Sequence, residues 1–216
     1  MRALREAGID PGDRRTECRQ FRHSLMICEA LASLDLAARS LPDLRLIGWP
    51  EILGRTPHVT RSSPAPLRIP VPSGGYLVPD GLFGIEYTSG STKTYRFFAL
   101  EADRGTMPVV RSNPKQTSYL GKLTAYREII ERQAHKAHWG IPNLLVLTLT
   151  NSKARMVEMM RHLAGQRGNS AAFLFKAVAG GELLRPMPAL LTEPWERAGL
   201  PPLRISDSGA QPHQTA

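Results

Sequence analysis

From Thr16 to Arg39 the apolar residues Phe21, Leu25, Ile27, Cys28, Leu31, Leu34 and Leu36 fall almost all round a helical wheel. That distribution predicts a core helix buried on more than one side. Leu44 to Leu53 predicts a short strand, limited by Pro50. Thr56 to Gly75 holds five prolines and two glycines and predicts a loop. Two apolar runs follow, Gly81-Leu82-Phe83-Gly84-Ile85 and Tyr95-Arg96-Phe97-Phe98-Ala99-Leu100, and the polar stretch Thr88 to Lys93 with Gly90 between them predicts a hairpin. A long helix is predicted from about Ser118 to His138, because Leu123, Tyr126, Ile130, Ala134 and Ala137 recur at helical spacing. The unbroken run from Leu144 to Leu149 predicts an inner strand covered on both faces. Asn151 and Ser152 can cap a following helix whose Val157, Met160 and Leu163 face inward and which Gly165 ends. Ala171 to Val178 predicts the last strand.

The predicted order is helix, three strands, helix, strand, helix, strand. Alternation in the second half implies an α/β fold, with a mixed central sheet flanked by helices on both faces. With 216 residues and 42% hydrophobic content the chain supports one well-cored domain. We place that domain at 16–180, after a flexible lead-in at 1–15 and before a proline-rich, peripheral segment at 181–216. Two cysteines, Cys18 and Cys28, make neither a disulfide framework nor a zinc site and fit a reduced, cytoplasmic setting. No apolar stretch approaches the roughly 20 residues of a membrane span, and the N-terminus lacks the apolar core of a signal peptide, so no membrane partner is expected.

Chemistry concentrates where two strands end. Asp80 opens one apolar run and Glu101-Ala102-Asp103 closes the next, so a rigid sheet edge can hold three carboxylates. Residues two apart on a strand face one side, about 7 Å apart, so Glu101 and Asp103 point together and Asp80 on a paired neighbour can join them. Clustered carboxylates repel unless a cation lies between them, and oxygen-only ligands favour Mg²⁺ or Mn²⁺. The formal charge is +9, and between Arg104 and His138 seven Lys or Arg stand against two acids. A basic face beside a carboxylate cluster suits a phosphodiester substrate, with Arg104, Arg111, Lys115, Arg127, Arg132 and Lys136 as candidate phosphate contacts. The same charges would also suit a solvated helix face or an acidic protein partner.

Several blocks carry a resemblance: His23-Ser24-Leu25, Pro79-Asp80-Gly81-Leu82-Phe83, the run from Phe98 to Thr106 with its Glu-x-Asp-Arg-Gly-Thr core, Lys122-Leu123-Thr124-Ala125-Tyr126, and Leu145-Val146-Leu147-Thr148. In these the chain resembles the replication-relaxation family of plasmid and mobile-element proteins and, more distantly, the restriction-endonuclease-like PD-(D/E)xK superfamily. The resemblance implies a restriction-endonuclease-like fold and a role with DNA in replication or transfer of a mobile element. It also implies a metal-dependent nuclease or nickase site with Asp80, Glu101 and Asp103 as ligands. In the superfamily a lysine stands two residues after the glutamate; here Asp103 stands there. Lys122, one turn before Tyr126 on the next helix, is the residue offered for the lysine's task of activating water. Family members often carry a winged-helix module before this domain, and the short lead-in leaves that task to a separate DNA-targeting or replication protein.

Plainer roles are open to the same residues. Asp80 can start a turn, Asp103 can form a buried ion pair fixing helix to sheet, Lys122 can snorkel to water and Tyr126 can be core. His23 reads as a core histidine and Glu29 as solvent-facing. His135 and His138 read as helix-end groups near the dipole or a phosphate. A non-catalytic DNA-binding or replication-control protein keeping the same fold is the alternative function.

Overall fold

The computed structural model describes residues 11–105, 108–109, 118–178 and 188–208, with side chains described from residue 20 onward. The chain opens with α1 (Pro11–Arg39), β1 (Leu44–Ile47), α2 (Trp49–Arg55) and α3 (His58–Arg61). A small ladder of β2 (Ile69–Pro70) and β3 (Tyr76–Leu77) precedes the long hairpin of β4 (Gly81–Ser89) and β5 (Thr92–Asp103). Then come α4 (Tyr119–Glu131), α5 (Ala134–Trp139), β6 (Leu145–Thr150), α6 (Lys153–Ala164), β7 (Phe173–Ala177), α7 (Ala189–Thr192), β8 (Trp195–Arg197) and β9 (Leu200–Leu203).

Seven strands form one sheet in the order β1-β4-β5-β6-β7-β8-β9. β5, β6 and β7 run parallel, and every other neighbouring pair in it is antiparallel. The expected α/β class, a mixed sheet with helices on both faces, is therefore present. On one face Leu82, Phe97, Ala99, Val146, Phe173 and Phe175 pack against Leu123, Tyr126 and Ile129 of α4 and Met156, Met159 and Leu163 of α6. On the other, Phe83, Ile85, Phe98, Leu100, Leu147 and Leu174 pack against Met26, Ala30 and Leu34 of α1 and against α7. Each such side chain contributes about 1.5–3 kcal/mol by leaving water, so two independent apolar layers hold the sheet rigid.

The structure corrects the predicted elements in four places. The helix α1 buries a single stripe, and Phe21 is 67% exposed, with Cys28 and Leu36 also outside. Among the described residues its other faces meet no second layer. The strand predicted to Leu53 ends at Ile47, where Pro50 in the first turn favours the helix α2. The Thr56–Gly75 loop contains α3 and β2. The helix predicted to His138 breaks at Gln133, whose φ of 56° is left-handed, so α5 leaves in a new direction and Ala137 is exposed.

The C-terminal segment is not peripheral where it is described. β8 and β9 extend the sheet, and Trp195, Leu191 and Ile205 are fully buried. Pro201 and Pro202 are tolerated because β9 is the edge strand, where missing N–H donors cost no ladder. The hairpin, by contrast, turns where the sequence indicates, through Gly90 at φ 58°. Among the described residues no helix is long and apolar enough to cross a membrane.

Candidate functional site

Pairing of β4 with β5 brings the separated acids to one sheet end. Gly81 pairs with Leu100, so Asp80 stands beside Glu101. The Asp80 amide donates to the Leu100 carbonyl at 3.1 Å, and the Ala102 amide donates to Asp80 Oδ2 at 2.8 Å. Backbone on both strands therefore fixes this carboxylate. Strand alternation aims Glu101 and Asp103 at the α4/α6 face together with Thr148 and Thr150, their register partners on β6.

The Ser118 hydroxyl caps α4 by accepting from the Gly121 amide at 3.1 Å. The next turns carry Lys122 and Tyr126 over the sheet end. Lys122 Nζ forms a close ion pair with Glu101 Oε2 and stands 4.0 Å from Asp80 Oδ1, while the Tyr126 hydroxyl donates to Glu101 Oε1 at 2.5 Å. One ammonium thus serves two carboxylates. Glu101 is only 3% exposed, and burial pushes its pKa up to about 7, aided by the nearby charge of Asp80 and opposed by Lys122 and Tyr126. Burial likewise pushes the Tyr126 and Tyr119 hydroxyls well above their usual range. His23 of α1 completes the rim, its Nε2 3.3 Å from Asp80 Oδ1. It is a half-exposed site neighbour and not a core histidine.

Asp103 does not join this group. Arg155 of α6 grips it with both arms, Nε on Oδ2 and Nη2 on Oδ1 at 2.8 Å. The Thr150 hydroxyl adds a bond at 3.2 Å and the Gly105 amide one at 3.3 Å. Both Asp103 side-chain oxygens thus accept from protein donors, and its ion pair keeps the Arg155 guanidinium charged. The buried ion pair expected of Asp103 is present, with Arg155 as its partner. Among the described residues no three His, Cys, Asp or Glu side chains are grouped to hold a metal ion. Asp103, turned to Arg155, is thus not grouped with Asp80 and Glu101 in this arrangement. Asp80 and Glu101, converging on one ammonium, remain a donor pair that suits a hard divalent cation.

The proposed phosphate contacts divide. Arg132 and Lys136 are exposed and Arg104 is half-buried, whereas Arg127 is buried and donates to Gln166 Oε1 at 3.0 Å and the Arg167 carbonyl at 2.9 Å. Arg127 braces α4 against the turn after α6 and is not a surface cation. Arg111 and Lys115 lie outside the described residues. His135 and His138 are drawn into the core side of α5, and burial holds both pKa values below the usual histidine range.

Sequence reasoning missed Arg155, Thr148, Thr150 and Tyr119, whose hydroxyl bonds closely to Thr148. The threonines had a signal: polar residues at alternate positions ending an apolar strand face whatever the sheet end serves. Arg155 had none, because its partner is 52 positions away.

No curated protein and no solved structure matches the chain. The family model for replication-relaxation matches residues 2–145. That span includes Asp80, Glu101, Asp103, Lys122 and Tyr126, and it stops before Arg155. Matched over more than half its length, with both acid-bearing strands and the lysine helix inside the match, the chain belongs to the replication-relaxation family.

Proposed function

We propose that this protein works on DNA in the replication or transfer of a plasmid or mobile element, in the cytoplasm, as a metal-dependent nuclease or nickase of the PD-(D/E)xK type. The observation that carries this reading is the delivery of Lys122 from α4 to both Asp80 and Glu101. An aspartate, a glutamate and a lysine then meet at one sheet end, although the strand position usual for the lysine is filled by Asp103. Asp80 and Glu101 would hold Mg²⁺ or Mn²⁺. Such an ion, when bound, lowers the pKa of water and offsets charge on a phosphoryl group. Lys122 would orient or deprotonate the attacking water, and Tyr126 holds Glu101 in place. Arg132 and Lys136 would meet the DNA backbone.

A second reading is supported by the Asp103–Arg155 bridge, which ties β5 to α6 with no chemistry. In that reading the protein keeps the nuclease-like fold and controls replication by binding DNA alone, with a separate replication protein as partner. Duplex binding across a salt series, followed by Mn²⁺ calorimetry, separates the two. The nuclease reading predicts affinity falling with salt, at a logarithmic slope of about −0.9 per phosphate neutralised. It also predicts one Mn²⁺ site that disappears in Asp80→Asn. Salt-dependent DNA binding with no Mn²⁺ site favours the second reading, and binding to neither contradicts both.

A further inference from the structure

The extended segment that delivers Asp80 also presents an exposed aromatic. Tyr76 is 62% exposed and Val78 50%, alternating with buried Leu77 and Pro79, so Tyr76, Val78 and Asp80 share one side of the chain. The Arg68 guanidinium lies over the Tyr76 ring, with Cζ 3.8 Å from its centroid. Both residues are exposed.

The platform is fixed to the site from two directions. β2 pairs with β3 at Ile69–Leu77 and Pro70–Tyr76, which sets Arg68 beside the ring. The Ser73 hydroxyl donates to Glu128 Oε2 at 2.6 Å, tying this hairpin to α4, the helix that carries Lys122. Leu77 enters the same core as Leu123 and Tyr126. Four residue steps lead from Tyr76 to Asp80, a reach of at most about 13 Å.

An exposed tyrosine with a guanidinium over its ring offers a flat π surface and a positive charge together. That pairing matches an unpaired nucleotide, whose base stacks on the flat face while its phosphate meets the cation. Paired bases inside a duplex offer no such face. We infer that Tyr76 and Arg68 form a stacking platform for one unpaired nucleotide flanking the Asp80–Glu101–Lys122 centre, so that the protein engages DNA at a single-stranded or unwound position. This rests on the DNA reading above.

The test is fluorescence anisotropy with a labelled oligo-dT strand and a blunt duplex, on wild type, Tyr76→Ala, Tyr76→Phe and Arg68→Ala. Loss of one stacked base should cost Tyr76→Ala about tenfold or more in single-strand affinity. Tyr76→Phe should bind as wild type, and duplex affinity should not change in either variant. Arg68→Ala should weaken single-strand binding and flatten its salt dependence. Unchanged single-strand binding by Tyr76→Ala, or equal loss on both DNA forms, overturns the platform while leaving the DNA reading standing. A wild type that binds neither form overturns both.

Discussion

Asp103 and Arg155 meet from distant parts of the chain, with side chains only 5% and 15% exposed. Removing one partner of such a pair strands a buried charge, so Arg155→Met should destabilise the fold by about 3–5 kcal/mol in denaturant unfolding. Asp103→Leu combined with Arg155→Met should cost less than the sum of the single changes, since neither charge is then left alone. Additive losses would show that the bridge is not the brace described here. Asp80, Glu101, Lys122 and Tyr126 were legible as a group because each sits on, or directly before, an element with a strong local pattern. The role of Asp103 was half legible. A buried ion pair was foreseeable from a carboxylate on an inner strand, but its partner was not, because the pairing depends on how α6 packs over β6.

At the scale of elements, the β1–β4–β5 end of the sheet is locked by a charge ladder. Glu86 of β4 accepts from Arg45 of β1 at 3.1 Å and from Lys93 of β5 at 2.8 Å. Those two donors, Lys93 first, hold its pKa down to about 2 from an ordinary 4.5. A carboxylate depressed on folding stabilises the native state above its unfolded pKa and loses that contribution as pH falls through the folded value. Stability should therefore drop between pH 4.5 and 2, and Glu86→Gln should flatten that limb in pH-dependent thermal unfolding. An identical acid limb in both proteins would remove Glu86 from the account. Long periodic elements were readable at this scale. The break at Gln133 was not, because a left-handed residue without glycine carries no compositional mark. The strand β9 was hidden by its prolines, which an edge strand accepts and an inner strand refuses.

For the whole molecule, the charge of +9 marked a basic protein, but folding distributes it less simply than the linear count implied. Arg127 and Lys122 turn inward to acids and carbonyls, leaving Arg132 and Lys136 as exposed cations of the helical segment after the acid cluster. What reaches the sheet end is one lysine answering two carboxylates, and the central claim is that this trio processes DNA. The most direct measurement is the rate at which supercoiled plasmid is nicked in Mg²⁺ or Mn²⁺ by wild type and by Lys122→Ala, with Arg39→Ala as a surface control and circular dichroism confirming that each is folded. Loss of a positioned proton-transfer group costs about 10²–10⁴-fold, so the account predicts nicking by wild type and a fall of that size in Lys122→Ala alone. A folded wild type that leaves the plasmid intact, or a Lys122→Ala protein that nicks at the wild-type rate, would contradict it.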